Sequence, residues 1–226
     1  MFSSIHQSIW AQIDAAFTQP PSIAATFHGQ RRIHQGSVGR RTSLFPSVKC
    51  GGAIPLESRL ELAHALTLEQ DPVIRQYRTQ ALKIPLSHDS YAFPDFLIQT
   101  DQARFEVHEI KPSAQYLTSK EIERFKRMTA ILEVMDIAFR IVDRQNLPSV
   151  KHVQELLFLY QRGHIKKWSS MEVHLAKVAI QGQFFLTPQE LRIALKQHDI
   201  PVQLGDYLLF HRIVSLASTS TNLEAC

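Results

Sequence analysis

The stretch Tyr91 to Pro112, YAFPDFLIQTDQARFEVHEIKP, constrains this chain more than any other. It reads as two short strands joined by a polar turn at Thr100-Asp101-Gln102. Alternate residues of a strand share a face. Asp95 therefore goes with Phe93 and Leu97, and Glu109 with Val107 and Lys111. A loop centred on Gln102 sets Asp95 opposite Glu109 and gathers Asp95, Glu109 and Lys111. A slip of one residue would bring His108 there instead, from the wrong face. His108 is accordingly read as structural.

The flanking segments predict a sheet covered by helices. Leu56 to Gln70 reads as a helix ended by Asp71-Pro72, with Glu57 and Glu61 on one face. Val73 to Leu86 is β-rich, as one strand or two with a kink. Thr118-Ser119-Lys120-Glu121 is a capping-box pattern, and Ile122, Phe125, Met128, Leu132 and Met135 follow at helical spacing. Ile137 to Val142 is an apolar strand. Strand, strand, helix and strand behind an acidic helix describe a mixed α/β sheet.

The outer parts of the chain differ in character. Ser4 to Phe17 is an amphipathic helix, read either as docked on the body or as a partner-binding arm. Gly29 to Gly52 reads as an exposed loop whose Arg40, Arg41 and Lys49 are candidate DNA contacts, since guanidinium forks suit phosphates. A merely solvated basic loop fits equally well. After Pro148, helices are expected over 149–161, over 169–181 and from Thr187, then a β-like run over 199–216. Three helices and a terminal hairpin suggest a winged helix. The expected organisation is a helical arm (1–28), a catalytic domain (29–147), a winged-helix-like domain (148–216) and a mobile polar tail (217–226).

Composition bounds the chemistry. Apolar residues make up 44% of the 226 residues, enough for a real core. A net charge of +4 permits a nucleic-acid partner without demanding one. The two cysteines, Cys50 and Cys226, exclude a disulfide framework and a cysteine-based zinc site. The histidines form no HExxH, and no GxxxxGK[ST] loop is present to cradle a nucleotide. No run approaches the roughly 20 apolar residues of a membrane span, and the opening residues do not read as a secretory signal. A cytoplasmic setting is expected, with no membrane partner.

Two carboxylates offer hard oxygens to Mg²⁺, which needs few protein ligands. Such a metal acidifies a water and offsets charge on a phosphate, and a nearby lysine orients that water or stabilises the charge. A third acid usually completes such a site. Glu61 is the natural candidate, and Glu57 takes its place if the helix is rotated.

Glu61, Pro94-Asp95 and Glu109-Ile110-Lys111 together resemble the restriction-endonuclease-like nuclease pattern, with PD and (D/E)xK on adjacent strands. More closely, the chain is similar to the TnsA endonuclease family of heteromeric cut-and-paste transposons. The likeness lies in Arg59-Leu60-Glu61-Leu62-Ala63, Gln80 of RTQALKIPL, Pro94-Asp95-Phe96-Leu97 and Ile110-Lys111-Pro112. It covers residues 40 to 145 by motif and the rest by layout.

The resemblance implies a restriction-endonuclease-like mixed sheet flanked by helices, with a winged-helix-like α-rich domain behind it. It implies a catalytic set of Glu61, Asp95, Glu109 and Lys111, with Glu61, Asp95 and Glu109 holding Mg²⁺ or Mn²⁺. Some members carry glutamine where Glu109 stands. The implied activity is cleavage of double-stranded DNA at the 5′ strand ends of a transposon. The implied partners are a transposase, TnsB, and an AAA+ regulator, TnsC, met through the C-terminal domain. Two other readings remain: a stand-alone restriction or repair nuclease of the same fold, and a non-catalytic winged-helix DNA-binding adaptor.

Overall fold

A computed structural model describes residues 4–18, 29–30 and 42–217. Arg40, Arg41 and residues 218–226 of the polar tail lie outside the described residues. The chain divides into two compact units, Met1–Pro148 and Ser149–Cys226. No helix among the described residues is long and apolar enough to cross a membrane.

The first unit opens with α1 (Ser4–Thr18), whose Ile9 and Ile13 are buried in the unit's core. Burying two such side chains contributes about 3–6 kcal/mol, enough to hold the helix down. Gln12 adds polar anchoring, accepting from the Lys83 N–H at 2.7 Å. Arg78 Nε donates to the Ala16 carbonyl near the helix end at 2.9 Å. The helix is thus docked on the body of its unit.

Part of the segment expected as an exposed loop is a hairpin, β1 (Ser43–Ser47) and β2 (Gly52–Leu56), paired antiparallel. Phe45, Ile54 and Leu56 are buried. Of the glycines and serines there, Ser43 and Ser47 lie in β1 and Gly52 in β2, while Gly51 makes the turn, with φ 73° and its N–H bonded to the Val48 carbonyl. Helix α2 (Arg59–Gln70) starts later than expected, because Leu56 completes β2 and Ser58 takes the N-cap. Ser58 Oγ accepts the Glu61 N–H at 3.1 Å.

Strands β3 (Ile74–Thr79), β4 (Ile84–Ser87), β5 (Ser90–Ala92), β6 (Phe96–Thr100) and β7 (Phe105–Lys111) follow. Then come α3 (Ser119–Glu133) and β8 (Ala138–Asp143). The main sheet has the order β3-β6-β7-β8; β4 and β5 form a separate hairpin. Strands β3, β6 and β7 are successively antiparallel, and β8 runs parallel to β7. Parallel neighbours require a crossover, which α3 supplies. Its capping box is the expected one, Thr118 with Glu121. Phe125, Met128 and Leu132 pack with Leu97, Val107, Ile9 and Ile13 in the core, while Ile122 is exposed.

The described residues of the second unit hold four helices: α4 (Val150–Gly163), α5 (Ser170–Ala179), α6 (Pro188–Gln197) and α7 (Val202–Phe210). The expected terminal hairpin is replaced by α7, and no strand occurs among the described residues of this unit. The winged-helix expectation therefore loses its wing. Short apolar runs such as DYLLF fit either period; here Leu204 and Leu208, one helical turn apart, carry the burial. They join Trp168, Leu191 and Leu195 in the unit's core. Fully buried Asp206 lies between two guanidinium groups, Arg162 Nε at 2.9 Å from Oδ2 and Arg192 Nε at 3.0 Å from Oδ1.

Helices α4 and α7 cross where side chains leave no room. A Cβ on Gly163 would lie 2.7 Å from the Tyr207 nitrogen. Gly163→Ala is expected to force backbone apart and cost about 1–3 kcal/mol. Urea unfolding followed by circular dichroism checks this: the midpoint falls while the slope is unchanged.

Candidate active site

The β6–β7 pairing sets the geometry. Phe96 pairs with His108 and Leu97 with Val107, so the next pair outward is Asp95 with Glu109. The loop is centred on Gln102 as expected, with Ala103 at φ 59° and the Thr100 N–H bonded to the Arg104 carbonyl. Asp95 sits just before β6, where the ladder ends. Its Oδ2 accepts the Ile110 N–H at 2.7 Å, which ties the carboxylate to the strand carrying Glu109 and Lys111.

Burial first, then the charges of Glu109 and Glu61, push the Asp95 carboxyl up to about 8; the Ile110 N–H and Lys111 act the other way. Two acids therefore act on Asp95 at this end of the sheet. Glu61 arrives from α2. It is buried, and its Oε2 accepts the Glu57 N–H at 2.8 Å. From α2, the charge of Glu61 acts on Asp95. Glu57 accepts from Gln80 Nε2 at 3.1 Å.

Glu109 is buried and already engaged. Arg124 Nη2 donates to its Oε1 at 2.7 Å, and Lys111 Nζ lies 3.1 Å from the same oxygen. Lys111 also lies 3.7 Å from Glu121 Oε1. Asp95, just before β6, thus meets Glu109 and Lys111 of β7 at one end of the sheet, and the charge of Glu61 acts on Asp95. Lys49 is committed elsewhere. Its ammonium donates to the carbonyls of Leu68, at 2.7 Å, and Asp71, closing the C-terminal end of α2. Burial lowers its pKa despite Glu69 and Asp71 nearby.

His108 faces α2, away from Glu109. Its Nε2 donates to Glu106 Oε2 at 3.0 Å, which leaves Nδ1 to accept from His64 Nε2 at 3.0 Å. Burial, with His108 adding to it, holds His64 neutral.

Among the described residues, no three His, Cys, Asp or Glu side chains stand close enough to hold a metal ion as they are arranged. The donor chemistry still fits Mg²⁺ or Mn²⁺. Mg²⁺ takes one or two carboxylates and keeps its waters. Asp95 and Glu109 are such a pair, and their mutual repulsion is what a divalent cation relieves. Glu61 adds negative field to that pair.

Sequence reasoning missed Arg124. It lies one turn after Glu121 and one before buried Met128, on the helix that follows Glu-x-Lys. A cation there was the available signal. The backbone around Gln80 was also missed: its N–H bonds to the Asp95 carbonyl and its carbonyl accepts the Gln30 N–H, both at 2.9 Å. Gly29 passes so close to that carbonyl that a Cβ would lie 2.4 Å from it. Compared with known proteins, the chain matches no family model and no curated protein sequence.

A carboxyl raised on folding keeps its proton in the native state where the unfolded chain has lost it. Stability is therefore lost as pH rises between the usual value of 3.8 and about 8. Asp95→Asn keeps an acceptor for the Ile110 N–H and removes the repulsion. In metal-free buffer it is expected to melt several degrees above wild type at pH 8, at roughly 2–4 °C per kcal/mol, and close to wild type at pH 4. Adding Mg²⁺ narrows the gap at pH 8 by stabilising the wild type. Scanning calorimetry across pH checks both outcomes.

Proposed function

We propose that the chain is a divalent-metal-dependent DNA endonuclease that cleaves the 5′ strand ends of a transposon. It would work beside a TnsB-type transposase and a TnsC-type AAA+ regulator. One observation carries the reading: Asp95 stands opposite Glu109, Lys111 follows on the same face of β7, and the charge of Glu61 acts on Asp95.

Mg²⁺ held there, or Mn²⁺ in its place, would supply an acidified water and a positive charge at the scissile phosphate. Asp95 and Glu109 would hold it, Asp95 kept in place by the Ile110 N–H. Glu61 would add to the field that draws a cation in. Lys111 would orient the attacking water or remain as a fixed cation while charge builds on the phosphate oxygens. The water oxygen bonds to phosphorus as the bond to the leaving sugar oxygen breaks.

The transposon assignment is supported by the motif likeness around Glu61, Gln80, Asp95 and Lys111. The helical C-terminal region agrees with it in layout only, since the wing is missing. A TnsC-type partner would therefore have to be met by helices. Lys49 is less suited to DNA than it first reads, because its ammonium already closes α2.

The test is 5′-strand cleavage of DNA carrying the transposon ends, with transposase and Mg²⁺. Asp95→Ala and Lys111→Ala are each expected to slow it by roughly 10²–10³-fold, Lys111→Ala while leaving metal binding largely intact. Wild-type cleavage by Asp95→Ala would overturn the site. Cutting of plain DNA by the wild-type protein alone would transfer the site to a stand-alone restriction or repair nuclease.

A further inference from the structure

Arg124 is the feature of this site that the proposed chemistry leaves unused. Its Nη2 donates to Glu109 Oε1 at 2.7 Å, the same oxygen that Lys111 Nζ approaches at 3.1 Å. Glu109 thus receives two cations on one oxygen, while Asp95, across the ladder, is left to the repulsion of Glu109 and Glu61. The guanidinium is also incompletely satisfied. Arg124 Nε is buried and has no hydrogen-bond partner among the described residues. An orphaned buried donor costs about 1–3 kcal/mol, which marks a group awaiting an acceptor. The guanidinium as a whole is not sealed in, since the side chain remains 36% exposed. Its Cζ lies over the Phe125 ring, 4.8 Å from the centroid.

Resting on the endonuclease reading above, we propose that Arg124 exchanges partners: it neutralises Glu109 before metal arrives, and it passes to a DNA phosphate once metal has taken Glu109. A guanidinium fork suits both acceptors, since carboxylate and phosphate present similarly spaced oxygens. A divalent cation and the guanidinium compete for Glu109, so metal alone binds against Arg124. DNA offers Arg124 a second acceptor, which also satisfies Nε, and so removes that competition. Metal and DNA binding are thereby coupled, and by linkage each tightens the other by the same factor. Lys111, which also lies near Glu121, is left for the attacking water or the charge building on the phosphate.

The exchange is tested by calorimetric titration of Ca²⁺, which occupies carboxylate sites without supporting cleavage, into the full-length protein with and without a short DNA duplex. Arg124→Gln and Arg124→Lys are compared with wild type, and their unfolding midpoints are measured alongside. Arg124→Gln is expected to bind Ca²⁺ about fivefold or more tightly without DNA. The factor by which DNA tightens Ca²⁺ binding is expected to shrink by a similar amount. Arg124→Lys, which keeps the charge but not the fork, is expected to stay near wild type without DNA and to lose part of the DNA effect. A purely structural role for Arg124 would weaken metal binding in Arg124→Gln, so tightening is diagnostic. Unchanged Ca²⁺ affinity and unchanged DNA coupling in Arg124→Gln would overturn the exchange and leave the endonuclease reading standing. Absence of Ca²⁺ and Mn²⁺ binding by wild type, with and without DNA, would overturn both.

Discussion

The pairing of Phe96 with His108 is the constraint on which the rest of the site depends. Side chains alternate along a strand, so this one register decides which residues meet on each face. With it, Asp95, Glu109 and Lys111 share a side, and His108 turns to α2. The loop from Thr100 to Arg104 closes the hairpin at its far end, where two backbone hydrogen bonds hold the turn. The Asp95 carboxylate closes it at the near end through the Ile110 N–H. A carboxyl crowded by two neighbouring acids is thus pinned by a backbone donor. The candidate site and the strand pairing are parts of one arrangement.

Helix α2 must then be aimed so that Glu61 reaches the same end of the sheet. Buried polar groups do the aiming. His64 bonds to His108 on one side. Near the other end of the helix, buried Glu69 accepts from Ser47 and from the Tyr77 hydroxyl, the latter at 2.9 Å. Burial raises the Glu69 pKa while those hydroxyls lower it. Lys49 closes the last carbonyls of the helix. Apolar packing alone would let α2 slide or rotate at modest cost. Breaking these directional contacts would strand buried polar atoms, which costs more. The result is that the charge of Glu61 reaches Asp95.

The hairpin register was legible because a loop centre and a period of two suffice to state it. The α3 cap was legible because Thr118 and Glu121 form a local pattern. Lys49 was not, because a lysine in a glycine- and serine-rich stretch looks exposed until the β1–β2 hairpin folds it against α2. Arg124 was not, because its partner Glu109 lies on another element and nothing local marks the pair. The C-terminal run over 199–216 misled for another reason. Its apolar stretches are too short to separate helix from strand, and the burial of Leu204 and Leu208 together with the close approach of Gly205 to Leu195 decides for helix.

The division into two units leaves one tryptophan in each. Trp10, on α1, meets the Phe105 ring edge-on at 5.8 Å. Trp168 is buried in the helical unit and donates its indole N–H to the Gly163 carbonyl at 2.7 Å. The chain contains no others. Each unit therefore carries its own fluorophore in its own environment. Replacing either with phenylalanine leaves emission that comes from one unit only. Two denaturation curves from two such variants coincide where the units unfold as one, and separate where one melts before the other.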